Sequence, residues 1–429
     1  MLERLFALEA NNTDARREII AGITTFLTLA YIVFVNPSIL AAAGMDQGAV
    51  FVATCLAAAI GTAVMGLYAN YPVALAPGMG LNAYFTYGVV LGMGHTWQVA
   101  LGAVFLSGLI FLILSILPVR EWIINAIPRS LKIAISAGIG LFLAIIALKN
   151  AGIVVDHPAT LVTLGDLKQP APLLATAGFL AIAVLTARRV PGAIIIAILG
   201  VTALSVLLGV TENHGVVSMP PSVAPTFMQM DIAGALNVGL VAIVFAFLFV
   251  DLFDTAGTLV GLAHRAGLLD ENGRLPRLRK ALLADSTATI AGAMLGTSTT
   301  TSYIESASGI NAGGRTGMTA CVVALLFLAC LFLSPLAGTV PAFATAPALL
   351  FVACLMVRGL SEIDWDDITD VAPAVITAIA MPLTFSIATG IGFGFISYVL
   401  IKAFSGRLDQ TEPAVWILAG LFVVKFALV

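Results

Sequence analysis

Three carboxylates lie inside strongly apolar stretches in the second half of the chain. Asp251 and Asp254 interrupt the run FAFLFVDLFDTAGTLVG, and Glu305 follows the run TSTTTSYI. A carboxylate in the hydrocarbon region of a membrane costs about 2.5–3.5 kcal/mol on insertion scales, so it usually faces a protein interior or a water path. Side chains of this kind are therefore candidates for a substrate site or an ion-coupling site.

The spacing of the two aspartates predicts that they project from neighbouring positions on one helix face. Close carboxylates repel each other and burial disfavours their ionised forms, which is how such a group comes to hold a proton near neutral pH. Asp254, Asp251 and Glu305 are accordingly the proton-coupling candidates. The structural alternative is that one of the aspartates merely accepts hydrogen bonds from Thr255, Thr258 or a neighbouring backbone amide.

Two acidic patterns also have a purely structural interpretation. Ser302 and Glu305 match the capping box S-x-x-E, in which the serine caps a helix and the glutamate bonds back to the cap amide. A buried glutamate with only this role would still need its charge balanced. Asp285 lies near the start of its apolar segment and close in sequence to Arg279 and Lys280, which favours an ion pair or a helix-end role.

The segment 76–91 is too short and too interrupted for an ordinary membrane-spanning helix. Pro77, Gly78 and Gly80 break the helical pattern just before Asn82. Open backbone at membrane depth is tolerated only where it lines a protein cavity. The amide of Asn82 would either contact a substrate or form a hydrogen bond between helices.

The segment 298–312 is broken in a similar way. A strand-like approach is predicted at Thr299, Thr300 and Thr301, because β-branched residues favour extended backbone. The strand and half-helix candidates here are Thr300, Thr301 and Ser302. The helix that remains, residues 303–312, rises only about 15 Å, which is half of the hydrocarbon thickness. The half-helix N-termini of the two broken segments would bring free backbone amides and positive dipole ends to one point.

Composition predicts the elements that position these residues. Of 429 residues, 60% are hydrophobic and 10% are charged, and the mean hydropathy is +1.06. Apolar windows of about 20 residues, long enough to cross a bilayer, recur almost end to end and predict an all-α polytopic membrane protein with about fourteen spans. These spans lie near 18–42, 49–68, 76–91, 98–117, 129–149, 171–188, 191–210, 232–263, 279–296, 298–312, 316–337, 341–357, 371–386 and 388–404. An apolar tail, 413–429, remains; it is expected to lie along the membrane, and a fifteenth span is the alternative.

Charge and symmetry organise the spans. With both termini in the cytoplasm, Lys and Arg collect in the inner loops, and only Lys149 and Lys168 fall outside. Fourteen spans divide into two sevens of opposite orientation, which is the geometry of inverted repeats. Spans 1 and 8, 3 and 10, and 7 and 14 are the matching pairs. Two broken segments in corresponding places point to a transporter site near the membrane midplane.

The chain resembles the AzgA-type adenine/guanine/hypoxanthine permeases, a branch of the nucleobase–cation symporters. The resemblance lies in TTFLTLAYIVFVNPSIL, APGMGLNAYFTYG, VDLFDTAGTLVG, ADSTATIAGAMLGTSTTTSYIESASGINAGGRTG and MPLTFSIATGIGFGFISY, and it runs to about Phe404. It implies the fold of the bacterial uracil/proton symporter, with an elevator-like core domain and a gate domain that forms a homodimer. The predicted parts are an N-terminus at 1–17, the core domain at 18–117 and 232–337, the gate domain at 118–215 and 338–404, and a tail at 405–429.

The resemblance also implies roles for individual residues. Asp251 takes the place of the substrate-binding carboxylate in span 8, and Glu305 takes that of the carboxylate in span 10. Tyr303 and Ile304 would offer backbone groups to the substrate, and Asn82 would supply the polar contact from span 3.

One position departs from the uracil branch of the family. That branch has a histidine four residues after its span 8 glutamate, where this chain has Thr255, which is itself a substrate-binding candidate. Asp254 therefore becomes the substitute candidate for proton coupling.

The patterns predict a transporter, and the resemblance implies that it imports purine nucleobases by proton symport across the cell inner membrane. No cofactor and no metal are expected, because the cysteines lie in apolar segments without metal-ligand spacing. A xanthine or uracil carrier of the same fold, an anion transporter and a passive channel are the alternatives. An enzyme is disfavoured, because no His or Cys lies beside the acids to form a nucleophile–base pair or a metal site.

Overall fold

The structure is a computed structural model that describes residues 2–116, 127–236, 241–266, 268 and 275–428. Parts of the predicted spans and inner loops, at 117–126, 237–240, 267 and 269–274, lie outside the described residues. Within the described ranges helices predominate, and short strands form two separate antiparallel pairs.

The first half of the chain begins its helices at side-chain caps. Asp14 accepts a hydrogen bond from the amide of Arg17, and Asp46 accepts one from the amide of Ala49, as N-cap residues do. The principal helices are α1 (Ala15–Leu29), α2 (Ile32–Ala41), α3 (Gln47–Val64), α4 (Met79–Ala83), α5 (Trp97–Ile116), α6 (Arg129–Asn150), α7 (Pro170–Ala187) and α8 (Ala193–Leu207). Shorter helical segments are Leu2–Phe6, Glu9–Asn11, Met65–Ala69 and Tyr84–Gly92.

Helices in the second half of the chain also begin at side-chain caps. Asp367 caps a helix, and the hydroxyl and the backbone amide of Thr369 hold the pKa of the Asp367 carboxyl below its usual range. The principal helices are α9 (Val241–Ala266), α10 (Leu278–Leu295), α11 (Ser306–Asn311), α12 (Gly317–Cys330), α13 (Ala342–Val357), α14 (Ile368–Thr384), α15 (Ile387–Phe404) and α16 (Pro413–Leu428). Shorter helical segments are Ile232–Ala235, Leu331–Leu333, Ser334–Thr339, Arg358–Glu362 and Leu408–Gln410.

The two broken segments meet as a pair of strands. Strand β1 (Leu75–Pro77) pairs antiparallel with strand β4 (Thr300–Ser302), with Ala76 opposite Thr301. Each strand leads into a short helix, α4 after β1 and α11 after β4. The helix in the second segment begins at Ser306 rather than at residue 303, because the backbone first completes the strand pairing.

The helices form groups according to the helices that they pack against. Helix α6 packs against α13 and α14, and α14 packs against α15. Helix α10 packs against α3 and α5, and α12 packs against α1 and α3. The short helix α11 packs against α1 and α9, so the broken segment of the second half is supported by the first helix of the chain.

Among the described residues, nine helices are long and apolar enough to cross a membrane. They correspond to predicted spans 1, 2, 4, 5, 6, 8, 11, 12 and 14. Helices α8 and α14, at spans 7 and 13, are apolar but shorter. Helix α10, at span 9, carries Arg279, Lys280 and Asp285. Spans 3 and 10 are the strand-and-helix segments.

Three features go beyond the prediction. The segment predicted as one span at 232–263 contains a short helix, Ile232–Ala235, followed by the separate helix α9. The connection after α6, predicted as a loop, contains a hairpin of β2 (Val154–His157) and β3 (Leu161–Leu164). The tail forms helix α16, which packs on α15 through Phe395 and Phe422, whose ring centroids are 6.3 Å apart.

Candidate functional site

The paired strands β1 and β4 lie at the centre of the candidate site. Beyond the ladder itself, the amide of Gly78 donates to the Thr299 carbonyl at 2.9 Å, and the amide of Tyr303 donates to the Ala74 carbonyl at 2.9 Å. The hydroxyl of Tyr303 also donates to the Pro77 carbonyl at 2.6 Å. These bonds join one broken segment to the other. We call this contact between the two segments the strand crossing.

Two glycine residues allow the first broken segment to approach its neighbours closely. A Cβ atom on Gly78 would lie 2.7 Å from the Thr301 side chain, and a Cβ atom on Gly80 would overlap the side chain of Ile139 on helix α6. The backbone of Gly78 is ordinary extended backbone, with φ of −73°. These two glycines therefore serve close approach and not an unusual backbone conformation.

One pair of carboxylates, Asp251 and Asp285, is buried against strand β4. Asp251 on α9 is 1% exposed, and its Oδ2 accepts a hydrogen bond from the Thr289 hydroxyl at 3.3 Å. Asp285 on α10 is 0% exposed, and its Oδ1 accepts one from the Ser302 hydroxyl at 3.1 Å. The two carboxyl groups are close enough for their charges to interact. We call Asp251 and Asp285 the buried pair.

Hydroxyl groups join the buried pair to the strand. Thr255 Oγ1 on α9 lies 2.8 Å from Thr301 Oγ1 on β4, and the Thr289 hydroxyl also donates to the Thr300 carbonyl at 2.9 Å. One oxygen of each carboxyl group, Asp251 Oδ1 and Asp285 Oδ2, has no hydrogen-bond partner of good geometry among the described residues.

The position of Asp285 corrects the sequence prediction. The structure places it inside α10 and fully buried, and among the described residues it forms no ion pair with Arg279 or Lys280. The ammonium of Lys280 lies over the Tyr68 ring instead, 5.4 Å from its centroid. The reason is helical geometry, because side chains five and six positions apart do not lie above each other as those three and four apart do.

A second pair of carboxylates, Asp254 and Glu305, is accessible. Asp254 is exposed and Glu305 is partly buried, and their charges are close enough to interact. The Tyr31 hydroxyl donates to Glu305 Oε1 at 2.7 Å, and the Thr28 hydroxyl lies 3.4 Å from the Glu305 carbonyl oxygen. We call Asp254 and Glu305 the accessible pair. Although Asp251 and Asp254 are neighbours on one helix, their surroundings are different.

The capping box does not form. Ser302 lies in strand β4 with its hydroxyl on Asp285, so it caps no helix. Glu305 itself occupies the N-cap position of α11, and its side chain makes no capping bond. Because the chain must complete β4 before it turns into α11, the helix starts later than the S-x-x-E pattern predicts. The Glu305 carboxylate is therefore directed to Tyr31.

Other predicted site residues have structural partners. Asn82 is buried, its Oδ1 accepts a hydrogen bond from the Ser298 hydroxyl, and its Nδ2 lies 3.5 Å from the Pro77 carbonyl. The amide of Tyr303 is used in pairing with Ala74 and is not available to a substrate. The amide of Ile304 donates no hydrogen bond within the described part of the chain, and the Ile304 side chain is 45% exposed. Substrate roles for Asn82 and Ile304 stay predictions.

Tyr31 is a site residue that sequence reasoning missed. It lies in the apolar run of the first span, at the break between α1 and α2, and it contacts a residue that is 274 positions away. The only local signal is a hydroxyl inside an apolar run. Asn36, further along the same apolar run, donates to the Thr54 and Thr297 hydroxyls at 2.7 and 2.8 Å.

Comparisons with known proteins agree on the kind of molecule. The Permease family model (Xan_ur_permease) matches residues 16–393. The adenine permease AdeP of Escherichia coli (strain K12) is 51% identical over 429 residues, which cover 100% of this chain and 96% of AdeP. The guanine/hypoxanthine permease PbuG of Bacillus subtilis (strain 168) is 48% identical over 435 residues, which cover 99% of this chain and 98% of PbuG.

A solved structure has the same fold. The transmembrane domain of the cyanobacterium bicarbonate transporter BicA matches with a TM-score of 0.65 at 17% identity, and the match covers 88% of this chain and 96% of that domain. At this identity the likeness concerns the fold alone. The protein is a multi-pass membrane transporter and not an enzyme. The chain belongs to the Permease family, as a full-length relative of its adenine and guanine/hypoxanthine permeases.

Proposed function

We propose that the protein imports purine nucleobases, namely adenine, guanine and hypoxanthine, and that the accessible pair binds them. The observation that carries this proposal is an exposed carboxylate, Asp254, within charge range of the partly buried carboxylate of Glu305. Purine rings present N–H groups in one plane, and hydrogen bonds from them to carboxylates are charge-assisted and about twice as strong as neutral ones. The names of AdeP and PbuG support the same class of cargo.

The arrangement of the site refines the residue roles. Glu305 would accept ring N–H groups, and the free amide of Ile304 would donate to a ring nitrogen or to a carbonyl oxygen of the base. Asp254 is better placed than Asp251 to reach a substrate, because it is exposed whereas Asp251 is buried. Asn82 would not contact the substrate. Its hydrogen bond with Ser298 would instead keep the two paired segments in position.

We assign proton coupling to the buried pair. Two carboxyl groups that share a buried site do not both ionise easily, so Asp251 and Asp285 would carry one proton between them. A pH difference of one unit supplies about 1.4 kcal/mol per proton. A membrane potential adds about 2.3 kcal/mol per charge for every 100 mV. Together these energies are sufficient for strong accumulation of a neutral base.

The proposed architecture has fourteen spans in two inverted repeats. The antiparallel pairing of β1 with β4, each followed by a short helix, is the relation that such repeats produce. The packing of α6 with α13 and α14, and of α10 with α3 and α5, supports a division into gate and core domains. Substrate would move with the core in an elevator-like shift, in a homodimer that contacts its partner through the gate domain. The location would be the inner membrane, with both termini in the cytoplasm.

The test is uptake of labelled bases in cells that lack their own nucleobase carriers. We expect uptake of adenine, guanine or hypoxanthine that an uncoupler abolishes, with xanthine, uracil and bicarbonate as rival cargoes. Uptake of none of the three purines would reject the proposed cargo. Purine uptake that only equilibrates, and that an uncoupler leaves unchanged, would reject proton symport in favour of a passive route.

A further inference from the structure

The first helix of the chain follows the short helix that carries Glu305. From its start to its end, one face of α1 presents Glu18, Thr25 and Thr28 to the segment 305–319, and Tyr31 follows at the break after α1. A Cβ atom on Gly309 of α11 would overlap the Thr25 hydroxyl and would lie 2.5 Å from the carbonyl oxygen of Ala21. Helices α1 and α11 are therefore in direct backbone contact.

Glu18 anchors the far end of this contact. Its carboxylate is 0% exposed, although it lies near the start of α1. Glu18 Oε1 accepts a hydrogen bond from the amide of Arg315 at 2.9 Å, and Oε2 accepts from the amides of Thr316 and Thr319 at 3.3 and 3.2 Å. The Thr319 hydroxyl donates to Oε2 as well, at 2.6 Å. The carboxylate thus satisfies free amides at the positive end of α12.

Arg315 extends this anchor to α11. Its guanidinium Nη1 donates to the carbonyl oxygens of Ile310 and Gly314, each at 2.7 Å. Ile310 lies in the last turn of α11 and Gly314 follows its end, and a helix of six residues has few internal hydrogen bonds of its own. Glu18 therefore holds the backbone of Arg315, Arg315 holds the C-terminal end of α11, and Glu305 lies at the opposite end.

We propose that Glu18 and Arg315 are positioning residues for the substrate site. Neither contacts the accessible pair. They fix the α11 end opposite Glu305, so that the Glu305 carboxylate is in place before the substrate arrives and binding does not have to order the half-helix. This inference rests on the proposed function, because it assumes that Glu305 binds the transported base.

The experiment measures base uptake and purified-protein stability for the full chain with Glu18→Gln. Gln keeps the shape but loses the charge and one acceptor, so α11 becomes less well held. We expect the KM for the transported base to rise at least about tenfold, the scale of one hydrogen bond to a charged group, with little change in the maximal rate. A KM within twofold of the unchanged protein would overturn the inference.

The matched control is Lys402→Met. Lys402 is also a buried charge, at 2% exposure, with Gln410 Oε1 at 2.8 Å and Asp370 Oδ1 at 2.9 Å, but it lies on α15 away from the site. We expect a lower unfolding temperature with an unchanged KM. If Lys402→Met raises KM as much as Glu18→Gln does, the effect of Glu18 is general stability, and the inference fails.

A second variant decides the case in which Glu18→Gln yields no folded protein. Arg315→Lys leaves the bonds of Glu18 to the backbone in place and removes the guanidinium that binds two carbonyl oxygens. A raised KM with normal protein levels supports positioning, and an unchanged KM overturns it. Failure of the proposed function is distinct from both results, because the unchanged protein would then take up no purine at all.

Discussion

The buried pair and the accessible pair place the same chemical groups in opposite surroundings. Asp251 and Asp285 are buried and accept hydrogen bonds from hydroxyl groups of β4 and α10, whereas Asp254 is exposed and Glu305, which accepts a hydrogen bond from the Tyr31 hydroxyl, is partly buried. Helix α9 supplies one member of each pair, three residues apart. The difference shows that position relative to the paired strands, and not residue type, decides which of these carboxylates are buried and which are accessible.

Glu305→Gln should have the largest effect. Truncating one partner of a substrate-bound charge typically costs about 2–5 kcal/mol, so base uptake should fall at least about thirtyfold. Membrane levels of the protein should stay near normal, because the Glu305 side chain makes no capping bond. Binding of labelled base to purified protein measures the loss. A variant that is absent from the membrane would instead show that Glu305 is structural.

Asp251→Asn tests whether the two pairs have separate tasks. A neutral amide in the buried pair cannot exchange a proton, so uphill accumulation should be lost. Exchange of external for internal base, which needs no net proton movement, should stay within about threefold of normal, because the accessible pair is intact. Counterflow in vesicles with and without a pH gradient measures both. Loss of base binding in Asp251→Asn would show that the two pairs act as one site.

Asp254→Asn is the matched change on the accessible side. It should weaken base binding about tenfold or more while leaving the remaining uptake sensitive to an uncoupler. Direct binding and uptake at two external pH values measure the difference. Normal affinity together with lost accumulation would assign proton coupling to Asp254 and base binding to Asp251. These are the roles that follow from the family resemblance.

Gly309→Ala should affect the accessible pair alone. The added methyl group meets the Ala21 carbonyl oxygen at 2.5 Å, so α11 must shift away from α1 and Glu305 moves with it. We expect KM to rise several-fold with coupling unchanged. Gly200→Ala is the control, because among the described residues no atom outside its chain neighbours and the backbone of its own helix lies within 4 Å of the added methyl group. Equal effects of the two substitutions would argue against a role for the α1 contact.

Tyr31→Phe should have the smallest effect. It removes one hydrogen bond to Glu305 and leaves the ring in place, which predicts about a threefold to tenfold loss of affinity. Isothermal titration with the transported base measures it. A gain in affinity would mean that the tyrosine hydroxyl competes with the substrate for the same carboxylate oxygen.

Much of the fold was predictable because its signals are local. The length of apolar runs predicts where helices lie, and among the described residues nine of the predicted spans coincide with helices long and apolar enough to cross a membrane. The threonines at 299–301 predict a strand, and β4 occupies residues 300–302. The carboxylates at Asp251, Asp254 and Glu305 were recognisable because charged residues in apolar runs are uncommon.

The tertiary structure decided how these residues are paired. The bonds from Tyr31 to Glu305 and from Glu18 to Arg315 join residues 274 and 297 positions apart, and no local pattern indicates them. Asp285 looked like a helix-end residue because its charged neighbours in sequence are near, but helical geometry turns it towards β4 and Asp251. The sequence by itself determined that acids lie within the membrane-spanning part, since composition and spacing are properties of the chain. Which acids are buried together and which remain exposed depends on the pairing of β1 with β4. That pairing joins distant parts of the chain, so only the whole fold determines it.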